Sequence, residues 1–212
     1  MAGQPSPANN KAFAARNRNA DGKIRLFVAI ELPQFLREAL AQLQAEIRKT
    51  GFPAKFTAAE NIHMTIKFLG DTPASLVEDI GGKLADAVDG FPPITLWAAG
   101  LSVFPSVKRP RVLWTGTGGE TDRLARLQKQ VEENLSAIGF AKEERPFTAH
   151  LTLARFKGSI EPETIISTMA RYGNFASGSF SAAEICLFES RLTPKGPVYN
   201  RLQVHRLAGS PE

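Results

Sequence analysis

Two short stretches of this 212-residue chain set a group that can move a proton beside a group that can hold an anion. In NIHMTIKFLG (61–70) these are His63 and Thr65; in TAHLTLARF (148–156) they are His150 and Thr152. Each stretch reads His, any residue, Thr, then an apolar residue. In a β-strand residues i and i+2 point to the same face, about 7 Å apart along the chain. His63 and Thr65 would then share one face, opposite Ile62, Met64, Ile66 and Phe68. His150 and Thr152 would share another, opposite Ala149, Leu151 and Leu153. Each strand is expected to anchor itself by its apolar face and to present an imidazole and a hydroxyl on the other.

Two such strands meeting across a cleft suit an in-line displacement at phosphorus. One neutral histidine takes a proton from water, while the other, as imidazolium, gives one to the leaving oxygen. An ordinary histidine pKa of about 6.5 makes both states accessible near neutral pH. The threonine hydroxyls can donate hydrogen bonds to the non-bridging oxygens, where charge builds in the transition state. A nearby cation would help. Lys67 has the strand parity of His63, and Arg155 follows Thr152 closely; the guanidinium grips phosphate bidentately, which favours Arg155. A single H-x-T-x arises readily by chance. Here two copies take two of only three histidines. The third, His205, has no such partner and reads as a surface or edge-strand residue.

Other chemistries find less support. Hydrolytic zinc sites usually have three protein ligands, and neither motif brings a carboxylate or cysteine, so no metal is expected. No G-x-S-x-G elbow, P-loop or G-x-G-x-x-G is present, which leaves serine-nucleophile, ATP-driven and dinucleotide chemistry without a handle. The single cysteine, Cys186, lies in the apolar run EICLFES and reads as a small core residue. One cysteine excludes an internal disulfide framework and fits a cytoplasmic setting.

The elements that must position the motifs can be read from periodicity. KIRLFVAIEL alternates as a strand, with Ile24, Leu26, Val28, Ile30 and Leu32 on one face. Pro33 opens a helix with stripe Leu36, Leu40, Leu43, Ile47, ended by Gly51. After the first motif, PASLVEDIGGKLADAV carries Leu76, Ile80, Leu84 and Val88 at helical spacing, although Gly81 and Gly82 each weaken a helix by about 1 kcal/mol. ITLWAAGLSVF and RVLWTGT read as a strand pair around PSVKRP. The order then recurs: a helix with stripe Leu124, Leu127, Val131, Leu135 and Ile138, the second motif strand, a helix in PETIISTMARYG, and strands AAEICLFES and VYNRLQVHRL around TPKGP. This is a duplication of elements rather than a short-period solenoid. Two similar lobes facing each other would bring the motif strands together.

Residues 1–22 lack an apolar signal-peptide core and read as a disordered tail, more a solubilising extension than a nucleic-acid arm despite Lys11, Arg16 and Arg18. Residues 23–209 read as one domain. No apolar run is long enough for a membrane span. The net charge of +5 suits an anionic partner without being extreme.

With these features the sequence resembles the 2H phosphoesterase superfamily, which paired H-x-T-x motifs mark. Within it, the chain is similar to the bacterial and archaeal RNA 2′,3′-cyclic phosphodiesterases, historically called 2′-5′ RNA ligases. The likeness runs from about Ile24 to Leu207 through IRLFVAIELP, ENIHMTIKFLG, FPSVKRPRVLWTG, RPFTAHLTLARF and LFESRLTPKGPVY. It implies a bilobal α+β fold, two pseudo-symmetric lobes with antiparallel-rich sheets lining a central cleft. It implies hydrolysis of RNA 2′,3′-cyclic phosphate ends to 2′-phosphomonoesters without metal, ATP or other cofactor. A two-lobed chain that closes its own site is expected to be a monomer. By that resemblance His63 protonates O3′, His150 activates water, Thr65 and Thr152 bind the phosphate, and Arg155 contacts substrate. Phe68 matches an aromatic that stacks on a base, while its strand parity equally fits core packing. Ala149 stands where many members carry Pro, and Met64 where Leu is commoner. Three alternatives stay open: an RNA-end binding module without turnover, slow 2′-5′ ligation through the same site, and hydrolysis of a small cyclic or 2′-5′ linked nucleotide.

Overall fold

The computed structural model describes residues 22–51, 53–194 and 196–209. The segment read as a disordered tail lies, but for its last residue, outside them. The alternation at the start forms β1 (Lys23–Glu31), with Ile24, Leu26, Val28 and Ile30 all buried. Pro33, whose ring fixes φ near the helical value, precedes α1 (Gln34–Arg48), which buries Leu36, Leu40, Leu43 and Ile47 as its stripe requires. A short strand β2 (Ala54–Phe56) and one 3₁₀ turn lead into β3 (His63–Pro73), the first motif strand. Then come α2 (Val77–Val88), the strand pair β4 (Ile94–Phe104) and β5 (Val112–Gly119), and α3 (Thr121–Ser136). The second motif strand is β6 (His150–Phe156), followed by α4 (Pro162–Tyr172), β7 (Phe180–Ala182), β8 (Glu184–Thr193) and β9 (Gly196–Arg206). Gly81 does not break α2: it is buried where the helix lies against Gln203 of β9, and a Cβ there would collide with that side chain. No helix among the described residues is long and apolar enough to cross a membrane.

All pairings are antiparallel, and they join into one sheet with the order β7-β4-β5-β6-β3-β1-β8-β9, β2 adding to β6. The two motif strands lie side by side at its centre. Outward from them the order is matched: β3, β1, β8, β9 on one side and β6, β5, β4, β7 on the other. These are the two lobes the duplication implies, with one feature the repeat does not show. The β4–β5 hairpin of the first repeat flanks the motif strand of the second, and the β8–β9 hairpin of the second completes the lobe of the first. Each half therefore depends on the other for its sheet.

The four helices cover one face of this sheet. Their stripes and the apolar faces of β1, β3, β4, β5 and β6 form one continuous core. A second, smaller cluster of Phe27, Ala29, Cys186 and Phe188, with Tyr199 packed against it, lies apart from that core. Ala29 pairs with Thr65 and Phe27 with Phe68, so this cluster belongs to the face carrying the motif residues.

Candidate active site

The two motif strands touch through a single pair, Met64 with Leu151. Each of these residues follows its histidine by one. Antiparallel pairing at that point makes the site locally two-fold symmetric: His63 faces Thr152, and Thr65 faces His150. At ordinary antiparallel spacing, facing residues lie about 5 Å apart and diagonal ones, including the two histidines, about 7–8 Å. Met64 and Leu151 are buried in the helix-side core, so all four polar side chains lie on the opposite face. Past this pair the same edge of β6 is taken by β2, which pairs with residues 154–156. The carbonyl of Leu153 accepts from the buried amide of Gln44 at 2.8 Å and from the Thr57 N–H at 2.8 Å. β3 and β6 thus meet at one point, and the edge of β6 beyond it is satisfied by other groups.

Both histidines are oriented in the same way. His63 Nδ1 lies 2.9 Å from the carbonyl of Asn61, and His150 Nδ1 lies 2.7 Å from that of Thr148. A carbonyl only accepts, so Nδ1 carries the hydrogen in both rings and Nε2 is the proton-exchanging atom. The partner is in each case the carbonyl two residues back, so the backbone of the strand entry fixes the tautomer. Neither threonine hydroxyl has a hydrogen-bond partner among the described residues.

A β-bulge then corrects part of the sequence reading. Between the pairs Ala29–Thr65 and Val28–Lys67, β3 holds one extra residue, Ile66. Between Trp114–Thr152 and Leu113–Ala154, β6 holds one extra residue, Leu153. A bulge of this kind reverses the facing of everything after it. Lys67 is therefore turned off the face of His63, contrary to its parity. It is buried, with its ammonium paired to the buried carboxylate of Glu132 on α3 and donating to the Ala141 carbonyl at 2.8 Å. Phe68 is turned the other way, out of the core and onto the motif face. It is 71% exposed, with its ring 6.2 Å from Phe27. Arg155, the residue equivalent to Phe68 in the second strand, is delivered to the same face and is exposed. Its charge reaches Tyr199. The structure thus gathers His63, Thr65, Phe68, His150, Thr152 and Arg155 on one surface and removes Lys67 from it.

The rings packed on the histidines come from β1 and the two hairpins. Phe27 lies against His63 at 4.8 Å between centroids, and Tyr199 meets it edge-on at 5.1 Å. Phe104 and Trp114 stand edge-on to His150, at 5.1 and 5.9 Å. Burial in this shell, with a smaller contribution from the charge of His150, pushes the His63 pKa down to about 4, against the Asn61 carbonyl, which favours the imidazolium. Burial also raises the Tyr199 phenol. Sequence reasoning did not single out Tyr199, Phe27, Phe104 or Trp114. Three of them stand in segments quoted for the family likeness, LFESRLTPKGPVY and FPSVKRPRVLWTG, and Phe27 in IRLFVAIELP; their contact with the histidines arises only from the exchanged hairpins and β1.

The remaining candidates lie elsewhere. His205 is half-buried on the edge strand β9, as expected of a residue outside the site. Cys186 is fully buried, and burial together with the charges of Glu31 and Glu184 pushes its thiol up to about 12, the opposite of a reactive cysteine. Among the described residues, Glu31, Glu184 and Cys186 are the only three potential metal donors that converge. Arg201 lies 2.7 Å from Glu31 there, and a protonated thiol beside a guanidinium is a poor ligand set for a cation.

Two imidazoles with shared tautomer, set diagonally about two hydroxyls on an open sheet face, define a two-histidine phosphoesterase. Known proteins agree with this assignment. The family described as LigT like Phosphoesterase matches residues 30–114 and 118–199, each stretch holding one motif, and the chain belongs to that family. It is 36% identical over 171 residues to an RNA 2′,3′-cyclic phosphodiesterase of Aeropyrum pernix, covering 81% of this chain and 96% of the relative. It is 31% identical over 185 residues to an RNA 2′,3′-cyclic phosphodiesterase of Methanothermobacter thermautotrophicus, covering 87% of this chain and all of the relative. Among solved structures, that of the Thermus thermophilus protein TT0787 superposes with a TM-score of 0.72 at 26% identity, covering 88% of this chain and 99% of the other.

Proposed function

We propose that this chain hydrolyses RNA 2′,3′-cyclic phosphate ends to 2′-phosphomonoesters. The observation that carries the reading is the two-fold arrangement of His63, Thr65, His150 and Thr152 about the Met64–Leu151 pair. A cyclic phosphate set between the two Nε2 atoms has a proton acceptor on one side and a proton donor on the other, as in-line displacement demands. The threonines donate to the non-bridging oxygens, and Arg155 supplies charge beside them. We assign His150 as the base that activates water and His63 as the acid that protonates O3′. In the free protein His63 is held neutral by burial; the anionic phosphate brought against it favours its imidazolium form. Water enters and O3′ leaves, so the reaction needs no metal and no nucleotide. We treat residues 23–209 as the catalytic unit and read it as a cytoplasmic monomer, since one chain supplies both histidines.

The test uses a short RNA ending in a 2′,3′-cyclic phosphate, with chelator and without nucleoside triphosphate. Clean conversion to the 2′-phosphate is expected. A 3′-phosphate product would reverse the leaving group, loss of activity with chelator would bring in a metal, and binding without conversion would make the protein an RNA-end binding module.

A further inference from the structure

We propose that the edge of the sheet at the Arg155 end of the site is a track for the phosphodiester backbone 5′ to the cyclic phosphate; this rests on the function proposed above. Three segments converge there. Lys55 of β2 stands opposite Arg155 on one side, and Val112 stands opposite it on the other. Arg111 is tied to the strand by its carbonyl, which accepts from the Phe156 N–H at 3.0 Å, and the Lys157 N–H donates to the Pro53 carbonyl at 2.8 Å. Lys108 and Arg109 lie in the β4–β5 turn, held by the Arg109 N–H to the Ser106 carbonyl at 3.2 Å and the Arg111 N–H to the Phe104 carbonyl at 2.7 Å.

Lys55, Lys108, Arg109, Arg111, Arg155 and Lys157 are all exposed, and residues 53–57, 105–112 and 154–160 contain no Asp or Glu. None of the six has an ion pair among the described residues. Several exposed cations elsewhere are neutralised: Arg25 by Asp71, Lys49 by Glu46, Arg145 by Glu143. The mouth on the His63 side is likewise paired, with Arg201 on Glu31 and Arg191 on Glu189. Six unpaired cations on one edge are a large local concentration of charge for a chain whose net charge is +5. Clustered, unpaired cations repel one another and are relieved by a polyanion. From His150 the chain runs along β6 and one residue past its end to Lys157, seven positions on, about 23 Å. The edge thus leads outward from the chemistry and gives the 5′ portion of an RNA a path once its 3′ end is seated.

The test measures binding and turnover separately, on the wild type and on a variant carrying Lys108→Gln, Arg109→Gln and Lys157→Gln. Binding is read by anisotropy of a labelled short single-stranded RNA ending in a non-hydrolysable 3′-phosphate, between about 50 and about 200 mM salt. The wild type is expected to weaken steeply with salt, and the variant to lose about 2 from the log–log slope, three charges at about 0.7 each. On turnover, the variant is expected to lose about tenfold or more in kcat/KM on a cyclic-phosphate oligomer. A mononucleoside 2′,3′-cyclic phosphate should be turned over as in wild type, which also shows that the variant folds. RNA binding with the same slope and strength in both proteins would overturn the track. Salt-dependent binding lost in the variant, with no turnover of either substrate by wild type, would support the track and remove the proposed reaction instead.

Discussion

His63 and His150 hold equivalent places in two strands that carry the same bulge, and each ring is pinned by the carbonyl two residues before it. Beyond the bulge the two strands part ways. The residue it exposes is Phe68 in one strand and Arg155 in the other. The residue turned inward is Lys67, buried against Glu132, in one strand and Ala154, buried in the core, in the other. The symmetric parts are set by backbone geometry, and they suit a phosphate, whose charge and oxygens are shared evenly. The asymmetric parts are side chains a few positions further along, and they suit a ligand with a flat base on one flank and negative charge on the other.

The largest effects should come from the histidines. His63→Ala and His150→Ala are each expected to lower kcat by about 10²–10⁴. Their equivalence breaks with a cyclic substrate whose O3′ is replaced by sulfur, a leaving group that needs no proton. His63→Ala should recover most of its rate on that substrate and His150→Ala none; recovery by His150→Ala instead would exchange the two roles.

Lys67 separates the inward positions. Lys67→Met leaves Glu132 buried without its partner and is expected to cost about 3–5 kcal/mol of stability, seen in denaturant unfolding. The kcat of the folded variant should be unchanged. A fall in kcat with stability intact would put Lys67 back on the catalytic face.

Phe68 and Arg155 sharpen the outward contrast. Phe68→Ala should raise KM by about tenfold, in line with loss of one stacked base, with a size that depends on the base and hardly on salt. Arg155→Ala should do the reverse, losing about tenfold or more in a way that added salt masks and base identity does not change. Identical salt dependence in the two variants would show that the flanks are not specialised.

The smallest difference lies in titration. Burial makes protonation of His63 harder, so in the free enzyme its proton binds only as pH falls toward about 4. His63 acts as the acid and must carry its proton, so the high-pH limb of kcat/KM, where that proton is lost, should lie near pH 4, below the ordinary histidine value. The high-pH limb of kcat, which reports the complex, should lie at higher pH because the bound anion stabilises the imidazolium. Superimposed limbs near the ordinary value of about 6.5 would remove the burial of His63 from the account.

Much of this was legible in the chain itself. The stripes of α1 and α3, the alternation of β1 and the paired motifs are local patterns whose period already states which face is buried. The four motif side chains emerge from them, because His and Thr are two residues apart and only a strand sets them side by side. The facing of Lys67 and Phe68 does not. Alternation runs unbroken through Ile66 in the sequence, and the extra residue exists only relative to β1, its neighbour. The aromatic shell was hidden for a similar reason: Tyr199 reaches His63 because the last hairpin joins the first lobe, an exchange between segments far apart in the chain. Residue type and spacing chose the reacting groups; non-local strand pairing decided which neighbours face them, since a side chain's direction in a sheet is fixed by its partner strand as well as by its own.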